Sequence, residues 1–266
     1  MERAGRCFRN YLMGLLLLGG LLLETACSVR EDRMPCPCQL CLDFVGPEID
    51  EGALAGLMVT SMKGFVWKDT VDIAKVRNGY SVSVPQTFLH IRSWIGADSC
   101  ASESGIVIPY GRDCPRVYMH DSDIKAEGEY ITETVTLRKN HCVLTLSIEG
   151  EGRLSSDLRL KGNVAGYDAE GQPLYGNFCC LLDEGGLESG YRAVLPRQTD
   201  ASLMLEVDDG KGNCKAFALG QYIVSSGYDW TSPDLDDVSV TLDYAMTEIR
   251  LVVGGWESVY RYDIEI

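Results

Sequence analysis

Positive charge is scarce in this sequence. Its 266 residues carry 24 Lys and Arg against 39 Asp and Glu, a formal charge of −15. Gripping nucleic acid, or docking electrostatically on anionic lipid, takes a basic surface, so neither is a role for this chain. Histidine is scarcer still, with three residues: His90, His120 and His141. No G-x-S-x-G elbow, P-loop or H-E-x-x-H segment occurs, which removes three common signatures of catalysis. A long amphipathic helix is also missing. The apolar run Tyr11–Leu23 is too short to cross a hydrocarbon core, which takes ~20 residues of helix.

That run has another use. Arg3, Arg6 and Arg9 precede it, and the small pair Thr25-Ala26 follows, directly before Cys27. A basic lead, a short apolar stretch and small residues at a cut make a secretory signal over residues 1–26. A cysteine immediately after the cut is an acylation site: the leader is removed and Cys27 becomes a lipidated N-terminus. Glu24 stands where such boxes carry Leu or another apolar residue. A plain cleaved signal and an uncleaved anchor are the alternatives. Residues 1–26 hold three arginines and two acids, so the remainder has 21 basic against 37 acidic side chains, a formal charge of −16. That suits a solvated surface outside the cytoplasm.

Of the 11 cysteines, Cys7 leaves with the leader and Cys27 carries lipid. Nine remain, and an odd number leaves at least one thiol outside any internal disulfide. Cys36-Pro-Cys-Gln-Leu-Cys41 is the densest cluster. As a metal site it lacks a second pair at matching spacing, since Cys179-Cys180 are adjacent. As a redox pair it lacks a helix N-terminus, because Cys38 to Cys41 run into a strand. Cys100 and Cys114 flank a polar, loop-like stretch and form the candidate disulfide. The connectivity of the others stays open.

After the tether Ser28–Arg33 and Met34-Pro-Cys-Pro-Cys38, period-two alternation dominates. Leu40, Leu42 and Phe44 share one face, as do Tyr80, Val82 and Val84. Cys142, Leu144, Leu146 and Ile148 oppose Thr145, Ser147 and Glu149. Leu203, Leu205 and Val207 follow, then Val238, Val240, Leu242 and Tyr244, and late runs from Ile249 and Tyr260. Such alternation means half-buried strands with one wet face. Turn clusters such as Lys139-Asn140 and Gly254-Gly255 separate them, so an all-β fold of antiparallel sheets is expected, as two sandwiches in series. The boundaries are a signal at 1–26, a lipidated tether at 27–38, an N-terminal sandwich at 39–130 and a C-terminal sandwich at 131–266. Residues 111–130 lack alternation and read as the approach to a linker placed near 122–134.

Chemistry finds little footing. His90 is expected to point outward from a strand whose Leu89 and Ile91 point inward, and His141, beside a turn, is read as exposed too. His120-Asp-Ser-Asp123 lacks the ligand pattern of a calcium loop and reads as solvated linker. Carboxylates are too many for a glycosidase pair to be picked out. No catalytic, cofactor or metal residue is assigned, and the chain is not read as an enzyme.

Several scattered segments together resemble a known family. They are Cys27 with Arg30-Glu-Asp-Arg-Met-Pro-Cys-Pro37, Thr136-Leu-Arg-Lys-Asn-His-Cys-Val-Leu-Thr-Leu146, Gly220-Gln-Tyr-Ile223, Gly227-Tyr-Asp-Trp230, Pro233-Asp-Leu-Asp-Asp-Val238 and Trp256. In order and spacing they resemble the lipid-tethered anchoring subunits of type V fimbriae, relatives of the fimbrillins. The resemblance implies two tandem transthyretin-like sandwiches and an outer-membrane lipoprotein exposed at the fimbrial base. It further implies attachment of the shaft to the cell, with some control of its length. Its partners would be shaft subunits, met through strand-mediated contact, and the outer membrane, met through acyl chains on Cys27. The chain stops at Ile266 on a strand, with no extension to donate, as expected for a subunit that ends a polymer. The second functional reading is a surface lipoprotein that binds glycan or another exported ligand through sandwich loops, with Trp67, Trp94, Trp230 and Trp256 as a stacking platform.

Overall fold

The alternating runs fold into hydrogen-bonded ladders. A computed structural model describes residues 36–45, 53–76, 79–97, 100–102, 104–149, 157–184, 190–208, 214–243, 248–253 and 256–261. The leader, Cys27, most of the tether and the last five residues lie outside the described residues.

Four sheets carry the fold. In the first, β1 (Cys38–Val45) runs antiparallel to β4 (Tyr80–Val84) on one side and parallel to β9 (Tyr130–Thr136) on the other. The second is antiparallel throughout, in the order β10 (Arg138–Lys139), β8 (Tyr118–Lys125), β5 (Phe88–Ile95), β2 (Leu54–Ser61), β3 (Val66–Asp72). A one-turn helix, α1 (Ile73–Val76), follows β3. The third sheet orders β17 (Cys214–Phe217), β16 (Met204–Asp208), β12 (Asp157–Asp168), β7 (Gly105–Val107) and β6 (Ala101–Ser102), and β13 (Pro173–Leu181) also pairs with β12. The fourth orders β14 (Asp183–Glu184), β15 (Tyr191–Pro196), β11 (His141–Glu149), β18 (Val238–Asp243), β19 (Glu248–Val253) and β20 (Trp256–Arg261). Here β11 pairs in parallel with β18, as β1 does with β9. A seven-residue helix, α2 (Leu219–Ser225), lies between β17 and β18. The all-β expectation is met.

The apolar faces meet in pairs. Leu40, Leu42, Val84 and Val135 of the first sheet close on Leu57, Val59, Leu89 and Ile91 of the second. Leu158, Leu160 and Leu205 of the third close on Leu144, Leu146, Leu195 and Val240 of the fourth, with Trp230 and Leu235 filling in from a loop. Each fully buried aliphatic side chain contributes about 1.5–3 kcal/mol. A smaller third core joins Ile106 and Tyr167 from the third sheet to Met119 of the second, beside Trp94. The chain from Pro37 onward packs as one unit, and this third core is part of the reason.

β1 begins at Cys38, the last residue of the expected tether, and its side chain is buried. The stretch expected as solvated linker is the larger departure. His120–Asp123 is the middle of β8, paired with β5 along its whole length. Its inward face carries His120 and Ser122 in place of hydrophobes, and its outward face carries Asp121 and Asp123. A strand satisfied by polar partners on both faces shows no hydrophobic period.

Candidate functional site

Strand parity sets the chemistry of the second sheet's outer face. Leu89 and Ile91 are buried in the first core, so Phe88, His90 and Arg92 turn the other way. The register lays His90 between Asp123 of β8 and Thr60 of β2, and Arg92 between Asp121 and Met58. Polar groups thus line up across three strands.

His90 is held by two carboxylates. Its Nδ1 lies 3.0 Å from Asp123 Oδ1, and its Nε2 lies 3.5 Å from Asp121 Oδ1, an ion pair too long for a good hydrogen bond. Asp121 is the largest influence on the ring and Asp123 adds to it. Together they outweigh burial and raise the imidazole pKa from 6.5 to about 9. His90 is therefore an imidazolium at neutral pH. Burial pushes the Asp121 carboxyl up, against the pull of His90 and Arg92.

Arg92 is fully buried. Its Nη1 donates to the carbonyls of Asp168 and Ala169 at 3.2 and 2.9 Å, its Nη2 donates to Ser102 O at 3.2 Å, and its guanidinium sits 4.9 Å from the Trp94 ring centroid. One side chain from β5 thereby pins the turn between β12 and β13 against the second sheet. Asp168 Oδ1 shapes that turn by accepting from the amides of Glu170 (3.0 Å) and Gln172 (2.8 Å). Gly171 has φ +73, and a Cβ there would run into the Asp121 carboxylate. Where the outer face meets this turn, the surface hollows into a cleft of about 820 Å³ whose walls include Thr60, Phe88, His90, Asp121, Glu170 and Gln172.

The other histidines behave differently. His120 Nδ1 accepts from Thr136 N at 3.1 Å and its Nε2 lies 3.1 Å from Ser122 Oγ, linking β8 to β9. His141, expected exposed, is buried, with Nδ1 3.1 Å from Val117 O. Burial lowers the pKa of both rings. A residue beside a turn is buried here because the segment before β8 and β8 itself cover the ring: Tyr118 packs edge-on against it, with centroids 5.3 Å apart, beside the Val117 carbonyl.

The remaining predicted residues fall as follows. Cys27 lies outside the described residues. None of the nine cysteines among the described residues is disulfide-bonded. Cys114 is buried in the second core, and burial pushes its thiol well up, with Asp113, Cys100 and Cys180 near enough to add to the effect. The candidate pair Cys100 and Cys114 are not bonded: Cys114 lies in the second core and Cys100 packs on the third. The tryptophans do not assemble a platform: Trp67 packs on the first core, Trp94 on the third and Trp230 in the second, while the Trp256 side chain is not described. Large aromatics gain more from burial than from exposure. Among the described residues no group of His, Cys, Asp or Glu converges as a metal site.

The segments that carry the family resemblance anchor one loop. Asp234 accepts from Lys139 N at 2.8 Å and Arg138 Nη1 at 2.9 Å, and Asp237 accepts from Val143 N at 2.8 Å and Lys139 Nζ at 2.6 Å. Arg197 Nη1 donates to Ser232 O at 2.7 Å. Thr136–Leu146 and Pro233–Val238 are thus distant in sequence and joined in space. Among the described residues the sheet edges, the expected contact surface, fall at β4 and β9 in the first sheet, β10 and β3 in the second, β17 and β6 in the third, and β14 and β20 in the fourth.

No family model matches the chain, and no curated protein matches it by sequence. Solved structures do share its fold. A candidate polysaccharide-binding protein of Bacteroides thetaiotaomicron matches with a TM-score of 0.63 at 13% identity, covering 86% of this chain and 99% of that one. The fimbrial anchor protein Mfa2 of Porphyromonas gingivalis matches at 0.61 and 12% identity, covering 84% and 99%. A candidate adhesin of Bacteroides ovatus matches at 0.59 and 12%, covering 88% and 98%. The fold is one shared with solved fimbrial anchor and adhesin-type proteins, and the first of these is the class that the sequence resembles.

Proposed function

We propose that this chain is a lipid-anchored fimbrial subunit that attaches a fimbrial shaft to the outer membrane and limits its length. The observation that carries the proposal is the match to a fimbrial anchor over 99% of that protein's length, joined to a leader that ends directly before Cys27. Acyl chains on Cys27 would hold the protein to the membrane. On this reading the two large cores would belong to two tandem sandwiches; each includes a sheet with one parallel pair (β1 with β9, β11 with β18) among antiparallel neighbours. Shaft subunits would add a strand at an open sheet edge, where unpaired backbone groups await partners. In an oxidising compartment Cys100 and Cys114 would join as a disulfide.

The test compares wild type with Cys27→Ala by intact mass and membrane fractionation, then identifies proteins that co-purify. Lipidated wild type that brings down a fimbrillin-like shaft subunit, with the variant released from membranes, supports the proposal. Lipidation with no filament partner would keep the tether and remove the fimbrial role. Incorporation of the chain along the middle of filaments would remove the end-subunit role.

A further inference from the structure

The cleft beside His90 has the size of a small-molecule site, at about 820 Å³. Its floor is polar and fixed. His90 is clamped by two carboxylates, the β12–β13 turn is pinned by buried Arg92, and Gly171 abuts Asp121. At the rim the Phe88 ring is 61% exposed and Met62 is 97% exposed, although burial would be the default for both. Lys125 Nζ sits 5.7 Å from the Phe88 ring centroid.

The lining selects the chemistry of a guest. Asp121, Asp123 and Glu170 repel anions, so phosphate, sulfate and uronate are poor fits. The His90 imidazolium between Asp121 and Asp123 and the buried Arg92 guanidinium, close enough to act on Asp121 and Glu170, together offset two of the three negative charges, so a cation finds little surplus charge. What remains is a set of acceptors and donors for hydroxyl groups, from the carboxylate oxygens, the Gln172 amide and the Thr60 hydroxyl. An exposed aromatic ring beside them offers a flat apolar surface. A pyranose has both features, with C–H bonds on one face and hydroxyls around the edge.

We propose that this cleft binds a neutral saccharide, one sugar ring stacked on Phe88 and its hydroxyls bonded to Asp121, Glu170, Gln172 and Thr60. The site is independent of the fimbrial role, since it uses neither a sheet edge nor the lipid. Isothermal titration of the full-length chain in detergent would use neutral hexasaccharides of glucose, mannose, galactose and N-acetylglucosamine, with a lysine-rich hexapeptide as the competing class. At least one sugar should bind at millimolar affinity or better. Phe88→Ala and Gln172→Ala should each weaken it about tenfold or more, while Tyr175→Ala, an exposed aromatic on the third sheet, should not. Phe88 is exposed, so its variant should keep the wild-type circular dichroism spectrum and melting temperature. Binding by none of the sugars, binding indifferent to Phe88→Ala, or binding of the peptide alone would each overturn the assignment.

Discussion

Raising the pH from 6.5 to 9 should destabilise this protein through one side chain. In the unfolded chain His90 gives up its proton near pH 6.5; in the folded protein it holds it to about 9. Across that window the folded state binds more protons than the unfolded one, so stability falls as pH rises. The stabilisation is fully present below pH 6.5 and gone above about 9. An unscreened shift of this size would correspond to roughly 3 kcal/mol. Asp123 is 84% exposed and the His90 ring 25% exposed, so water and salt screen part of it, and about 1–2 kcal/mol is the expected loss. Unfolded cysteines also begin to ionise near pH 8.5 while Cys114 and Cys142 are held protonated by burial, which adds a second downward slope. Urea denaturation of wild type and His90→Gln in parallel, at pH 6, 7, 8 and 9, separates the two. The variant should lack the decline between pH 6.5 and 8, and 0.5 M NaCl should flatten it in wild type. An identical slope in both proteins would refute the clamp.

Below pH 6.5 the sign reverses, because His120 and His141 are kept neutral by burial. Stability should fall as pH drops from 6.5 to 5, and His141→Phe should reduce that fall in the same urea series. Arg92→Met keeps the bulk and removes the donors to three carbonyls, so it should cost about 3 kcal/mol or more; a loss under ~1 kcal/mol would mean that the turn is held by packing alone. Gly171→Ala combines an unfavourable φ with a collision at Asp121, and should cost about 1–3 kcal/mol by thermal denaturation. Protein secreted without reductant should show Cys100 and Cys114 protected from alkylation by mass spectrometry. Cys100→Ser should then expose one more thiol and cost about 3 kcal/mol, from the short loop the bond closes.

Strands with one dry face were plain in the sequence. Leu40, Leu42 and Phe44, or Leu144 and Leu146, alternate because one side of a pleat meets a core and the other meets water. The elements that build the cleft carried no such signal. In Leu89-His-Ile-Arg92 the apolar residues marked the strand, but the outward pair looked like ordinary surface. In His120–Asp123 both faces are polar, and only a partner strand 30 residues away makes sense of them. The signal that was available is complementary: a basic outward face on one strand and an acidic one on another. Parallel pairing of β1 with β9 was equally hidden, since pairing direction leaves no mark on composition.

That parallel pairing bears on how the molecule carries load. The chain enters the first sheet at Cys38 and leaves it at Thr136 along neighbouring strands that point the same way, in register over seven residue pairs. Tension between those two points draws the strands past each other lengthwise, so their cross-strand hydrogen bonds are strained together rather than peeled off one after another. The β1–β9 ladder must rupture as a whole before the first core can open, which resists a pull far better than a hairpin opened from its end.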